Sequence, residues 1–162
     1  MTIGFCGQIT KERKQYLDIL SKSDINCDFI FRKGYWAPGM DKQKAREEFY
    51  ENIESNLFAF CYRGCGNFSY RFYQIMSMGR IPILINTNTV IPFWDEIICK
   101  HNIGIIIDEK DIKSKKKDII IEIKEYYNKN DLFEIQKNNR KLYEKYFSPS
   151  GFLENITKFY LR

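Results

Sequence analysis

L-F-A-F-C-Y-R-G-C-G-N-F-S-Y-R-F-Y-Q-I-M-S-M-G, residues Leu57 to Gly79, decides the fold. An unbroken apolar run, Leu57–Cys61, is too short for a globular helix and reads as a strand buried on both faces. A turn with two glycines follows. Then Phe68, Phe72, Ile75, Met76 and Gly79 recur at helical spacing, which predicts a helix over Phe68–Met78 closed by Gly79 as C-cap. Asn67 or Ser69 is the natural N-cap. Strand, tight turn and helix in that order form the unit from which parallel α/β sheets are built.

The same alternation extends outward from this unit. Ile3–Cys6, Asp28–Phe31, Ile81–Ile85 and Gly104–Ile107 read as further buried strands. Lys11–Leu20 and Asp41–Ser55 carry apolar residues at helical spacing between them. Beyond Asp108 the pattern is wholly helical: Asp118–Asn128, Asp131–Phe147 and Pro149–Tyr160, the last with Ser148 as N-cap and Pro149 at the first helical position. The expectation is one domain over residues 1–162. Its class is α/β, a Rossmann-like three-layer fold with a parallel sheet of about five to six strands and a helical C-terminal region.

Composition narrows the function classes. The chain is 44% hydrophobic and 29% charged, which suits a folded globular domain and not a disordered one. No apolar run reaches the roughly 18–20 residues of a membrane span, and the first residues lack a basic segment followed by an apolar one. The net charge of +5 fits an anionic ligand, an acidic membrane surface or nucleic acid, but no nucleic-acid recognition motif accompanies it. Five cysteines, Cys6, Cys27, Cys61, Cys65 and Cys99, are an odd number set mostly in apolar runs, so reduced thiols are expected. C-x3-C and C-x-H, from Cys61, Cys65, Cys99 and His101, do not match the common structural zinc spacing, and no metal is expected. The sequon Asn67-Phe68-Ser69 lies in the glycine-rich turn, where a glycan would block a ligand. Together these point to a cytoplasmic protein. The lysine-rich Lys110–Lys117 reads first as a solvated turn and second as a peripheral membrane contact.

The turn between strand and helix carries the chemistry. Arg63 and Arg71 flank Gly64, Gly66, Asn67 and Ser69. Glycines let backbone approach a ligand, and a helix N-terminus offers free N–H groups and about half a positive charge. Arg71 in the first helical turn opposes that dipole, a conflict that a bound diphosphate removes. Arg71, Gln74 and Met78 share a helix side, so Gln74 is placed either to meet a ribose hydroxyl one turn deeper or to lie in solvent. Asn86 and Thr87, in the polar tetrad after strand Ile81–Ile85, suit sugar hydroxyls, though they are also ordinary turn residues. Gly7 and Gln8 follow the first strand on the same rim. Trp36, in the loop Lys33–Trp36, is expected in the core first and as a stacking ring second. No nucleophile–base pair with persuasive spacing occurs, and the single histidine, His101, reads as structural.

These motifs resemble a family. Ala45–Ile53, Cys61–Gln74, Gly79–Thr87 and Ile91–Phe93, with the opening Thr2–Gln8 and the late Tyr146–Phe152, look like the C-terminal half of exostosin-like glycosyltransferases. The resemblance implies a GT-B architecture whose C-terminal Rossmann-like domain binds a nucleotide sugar, usually a UDP-sugar. It implies inverting transfer to a glycan acceptor with no metal-binding D-x-D motif. By the same resemblance Arg63, Gly66, Asn67, Ser69 and Arg71 belong to the diphosphate loop, with Arg71 the catalytic cation. Gln74 stands where the family typically has a glutamate that contacts the donor, and keeps an acceptor oxygen without the charge. The acceptor-holding N-terminal half has no counterpart in these residues, so an acceptor domain on another chain or elsewhere is expected. The alternative expectation is a degenerate, non-catalytic homologue that serves protein association.

Overall fold

The computed structural model describes residues 1–34 and 37–160. Trp36, expected in the core or as a stacking ring, lies outside the described residues. Five parallel strands form one sheet: β1 (Thr2–Gln8), β2 (Asn26–Arg32), β3 (Phe58–Cys61), β4 (Ile81–Asn86) and β5 (Ile105–Asp108), in the order β2-β1-β3-β4-β5. The expected α/β class and Rossmann-like sheet are therefore present. Every helical stretch expected from the sequence is found: α1 (Lys11–Ser21), α2 (Lys42–Ser55), α3 (Tyr70–Ser77), α6 (Ile119–Lys129), α7 (Leu132–Leu142) and α8 (Pro149–Tyr160). Two short helices, α4 (Trp94–Ile97) and α5 (Glu109–Lys113), were not expected. No helix among the described residues is long and apolar enough to cross a membrane.

Strand alternation divides the interior into two cores. Ile3, Phe5, Phe58, Phe60, Ile83 and Ile107 face one side with Tyr16, Leu17 and Leu20 of α1 and Ile119 and Ile123 of α6. Ala59, Cys61 and Leu84 face the other, against Ile53 of α2, Phe72, Ile75 and Met76 of α3, and Leu142 and Tyr146 near the C-terminal end. Both faces of the sheet are covered, which is why the strands read as continuous apolar runs instead of alternating ones. Asn139, buried in α7, donates to the carbonyls of Arg80 (2.9 Å) and Ile103 (2.7 Å) and ties α7 to the amino ends of β4 and β5.

Most boundaries fall within two residues of expectation, and three differences change the reading of a segment. The helix expected from Phe68 begins at Tyr70, because Ser69 is extended (φ −124°, ψ 110°). The helix expected to run from Asp131 to Phe147 changes at Tyr143 into a π-helical turn, Tyr143–Phe147. Periodicity does not distinguish this wider turn from α-helix when its inward residues stay apolar. Gly7 and Gln8 belong to β1 itself, since β1 pairs with β2 along all seven residues.

Pairing is uneven at the centre of the sheet. β1 pairs with β3 through Ile3–Phe58 and Gly4–Ala59 alone, although β1 continues to Gln8. The two strands therefore separate toward their carboxyl ends. In this strand order the chain winds outward in both directions from β1 and β3, and such a switch point is where doubly wound sheets take ligands.

Candidate functional site

The crevice between β1 and β3 is filled by Arg71. Its guanidinium lies 4.3 Å from the ring centre of Phe5 and 5.5 Å from that of Phe49. Its Nη2 donates to the carbonyl of Cys6, an acceptor that β3 does not reach. Nε is shut off from water without a hydrogen-bond partner, and Nη1 makes no hydrogen bond among the described residues. The close approach explains Gly7: a Cβ there would stand 2.5 Å from Nη2. Burial pulls the guanidinium down to about 10, Arg13 and Arg32 add to that, and the thiols of Cys61 and Cys6 oppose it. It stays charged at neutral pH, and no carboxylate pairs with it among the described residues. Two aromatic faces compensate in part. A half-buried cation held this way is a standing preference for an anion.

Arg13, which sequence reasoning passed over, braces the rim. Its Nη1 donates to the Gln8 carbonyl and its Nη2 to the Arg63 carbonyl (3.0 Å), so the ends of β1 and β3 are stapled across the crevice. In Lys11-Glu12-Arg13-Lys14 it looks like one more charge on a solvated helix. Its burial, at 8% exposed, is a tertiary fact. The Arg63 side chain itself is exposed.

The remaining predicted residues divide. Asn67 and Thr87 are brought together: Thr87 Oγ1 donates to Asn67 Oδ1 (2.7 Å), and Asn67 Nδ2 donates to the Asn88 carbonyl (2.7 Å). The loops after β3 and β4 are thus latched to each other, and both ends of the Asn67 amide serve the latch. Ser69 occupies the N-cap position but makes no side-chain capping bond. Asn67 is not the cap. Asn86 turns inward, donating to Asp108 Oδ1 (2.7 Å) and accepting from the Thr89 N–H (2.9 Å), so it shapes the loop instead of facing a ligand. The Gly64 N–H donates to the Phe68 carbonyl (2.8 Å). Gly66 is explained by the chain itself: a Cβ would stand 2.8 Å from the Phe68 ring. Phe68, placed in the core by helical counting, is 39% exposed, because the wheel does not extend back past Ser69. Gln74 is half-buried on α3, one turn beyond Arg71.

A second cluster lies on the α1 side of the same rim. Tyr16 and Tyr62, both buried, donate to Glu109 Oε1 at 2.9 and 2.7 Å, and Lys113 Nζ lies 2.9 Å from Oε2. Burial pushes the Glu109 carboxyl up, but the bonds from Lys113, Tyr62 and Tyr16 outweigh it and hold the group below the usual carboxylate range. Burial and Glu109 together push Tyr62 up to about 12. A carboxylate depressed on folding stabilises the protein fully above its unfolded value of about 4.3 and loses that contribution as pH falls through the lower folded value. Acid unfolding of Glu109→Gln is therefore expected to show a shallower pH dependence below about pH 4.5 than the parent chain, read by circular dichroism. Identical acid limbs would rule out this role for Glu109.

Among the described residues no group of three or more His, Cys, Asp or Glu is placed to hold a metal ion. Lys110, Lys113 and Lys117 of the lysine-rich run pair with Asp108, Glu109 and Glu122. Asn155, which opens the sequon Asn155-Ile156-Thr157, is buried, donating to the carbonyls of Lys145 and Gly151.

No family model matches the chain. Over 64 residues it is 34% identical to "Probable beta-1,4-xylosyltransferase IRX10L" of Arabidopsis thaliana, a stretch covering 40% of this chain and 15% of that protein. Over 69 residues it is 32% identical to a protein of Oryza sativa subsp. japonica named as a glucuronosyltransferase, covering 40% of this chain and 14% of the relative. A second rice protein so named is 33% identical over 64 residues, with 40% and 15% covered. The match thus spans about one seventh of these relatives' length. Over that stretch the chain is similar to glycosyltransferases of the exostosin-like family, the family its motifs resemble.

Proposed function

We propose that the chain is the nucleotide-sugar-binding domain of an inverting exostosin-like glycosyltransferase. The donor is a UDP-sugar, and a glycan acceptor is presented by a second domain. The observation that carries this reading is Arg71: a charged guanidinium wedged in the β1/β3 crevice, at the start of α3, with no acid paired to it among the described residues. A diphosphate at this rim would meet the N–H groups at the start of α3 and the Arg71 cation together. As the glycosidic bond breaks, negative charge grows on the oxygen that leaves with the nucleoside diphosphate. A cation and helix dipole already in place stabilise that charge without reorganising. Gln74, one turn deeper, offers a neutral acceptor to a donor hydroxyl. Arg13 and the Asn67–Thr87 latch keep the rim loops in position. The acceptor and its general base belong to the second domain, so the chain binds donor and transfers poorly by itself.

One observation favours a non-catalytic association module instead: Asn67, Asn86 and Arg71 Nη2 already spend hydrogen bonds on their own chain. Thermal melting against a panel of nucleotides separates the two readings. UDP at about a hundredfold its dissociation constant is expected to raise Tm by about 5–10 °C. A flat response to UDP, UDP-sugars and the other common nucleotides would leave the association module as the reading.

A further inference from the structure

The ring displaced from the core has a consequence for ligands. Phe68 is 39% exposed and Tyr70 is 74% exposed, and their rings meet edge to face with centres 4.9 Å apart. They flank Ser69 at the start of α3, next to Arg71. Phe68 and the turn that carries it are braced. Phe68 lies on Gly66, where any Cβ would stand 2.8 Å from its ring, and its carbonyl accepts from the Gly64 N–H. The Asn67 side chain is bound on both ends to the neighbouring loop. On that loop the backbone turns through the left-handed region at Asn88 (φ 61°), an exposed residue whose side chain makes no hydrogen bond among the described residues. Val90, two residues on, is 77% exposed.

We propose that Phe68 and Tyr70 form a saccharide-binding ledge that takes a pyranose ring. The choice of sugars rests on the glycosyl-transfer reading above. A pyranose presents axial C–H groups on its faces and hydroxyls around its edge. An exposed aromatic ring packed on a braced neighbour, with amides and hydroxyls on the adjoining loop, matches both features. Tyr70 supplies the open ring and its hydroxyl. Phe68 sets its tilt from the edge. The Asn88 amide and the lone pairs of Thr87 Oγ1 stand on the adjoining loop to meet equatorial hydroxyls. Single exposed aromatics are common on protein surfaces, but two touching rings, one of them braced, in the residues that lead into Arg71 are a partly preorganised contact surface. The ring recognised belongs either to the donor sugar or to the acceptor glycan, and the chemistry is the same for both.

The test titrates UDP, UDP-xylose and β-1,4-linked xylo-oligosaccharides separately into the 162-residue chain and into Tyr70→Ala, Tyr70→Phe and Phe68→Ala, by calorimetry. Tyr70 is exposed enough that its truncation leaves the fold intact. At least one saccharide probe is expected to bind, with Tyr70→Ala weakening it about tenfold, the size a lost ring contact carries, and Tyr70→Phe retaining most of the affinity. UDP affinity stays unchanged in both Tyr70 variants. Loss confined to UDP-xylose assigns the ledge to the donor sugar. Loss confined to the oligosaccharide assigns it to the acceptor. Saccharide binding that is absent in both arms, or indifferent to Tyr70→Ala and Phe68→Ala, overturns the ledge. UDP binding alongside ledge-independent sugars would leave the donor reading standing. Oligosaccharide binding that needs Tyr70 while UDP fails would retain the ledge and remove the donor.

Discussion

Arg71→Met is expected to abolish UDP binding, by at least about a hundredfold in affinity, while leaving the melting temperature within about 3 °C of the parent. The two halves of this expectation come from different terms. Methionine reaches about as far as Arg71 Nε and keeps apolar volume beside Phe5 and Phe49 where the guanidinium now lies over both rings. It gives up the hydrogen bond to the Cys6 carbonyl, a loss of about 1–3 kcal/mol if that oxygen is left dry. Against this, it removes a partly desolvated cation that no carboxylate pairs with among the described residues, and replacing such a charge with apolar volume is often neutral or favourable. Stability therefore changes little. Binding has no such compensation, because the diphosphate loses its guanidinium and keeps only the dipole of α3. Calorimetric titration with UDP and a thermal melt of the same sample check both halves. A variant that still binds UDP would mean Arg71 is structural wedge and nothing more. A variant that fails to fold points to Arg71→Lys, which keeps charge but not the bidentate fork and should retain a fraction of the affinity.

Most of the architecture was legible because its cause is local. Buried parallel strands must be apolar on both faces, and Ile81–Ile85 shows that directly. Ser148-Pro149 marks the start of α8 by capping chemistry alone, and Ser148 Oγ accepts from the Gly151 N–H. Gly79 ends α3 for an equally local reason. The strand order was not legible. Nothing in β1 or β3 states that they pair at two positions and then part. The site inherits that limit. Arg71 was singled out because it opposes a helix dipole, a conflict visible in sequence. Where it points was not, since Phe5, Phe49 and Cys6 come from other elements. Gly66 was assigned to a ligand because a glycine in a turn carries no record of what approaches it. Here it is the chain's own Phe68. One dihedral at Ser69 moved Phe68 from the core to the rim, and no hydrophobic pattern carries a dihedral. Asn67 and Thr87 were both expected at the rim. Their bond to each other needed the register of β3 against β4.

The largest loss of stability is expected from Phe93→Ala, at about 3–5 kcal/mol, which lowers Tm by roughly 10 °C or more in a chain of this size. Phe93 closes the Ile91-Pro92-Phe93 motif and is fully buried. Among the described residues its ring contacts three C-terminal rings, with centres 5.8 Å from Tyr146, 5.7 Å from Phe152 and 5.9 Å from Phe159. The loop after β4 is thereby fastened to the π-helical turn and α8, so truncation opens a cavity where those elements meet. Backbone geometry makes the position unusual. Phe93 adopts a left-handed conformation (φ 58°, ψ 36°) that costs a residue with a Cβ about 1–2 kcal/mol. The strain is held in place because its carbonyl accepts from the N–H groups of Glu96 (3.1 Å) and Ile97 (2.9 Å), starting α4. Alanine loses the ring and keeps the strain. Glycine loses the ring and relieves it. Phe93→Gly is therefore expected to be less destabilised than Phe93→Ala by about 1 kcal/mol, the reverse of the usual helix-interior ranking. Urea unfolding of the three proteins gives both differences. An alanine variant within about 1 kcal/mol of the parent would show that the cavity collapses and that α8 is held elsewhere. Equal stabilities for alanine and glycine would show that the left-handed turn carries no strain.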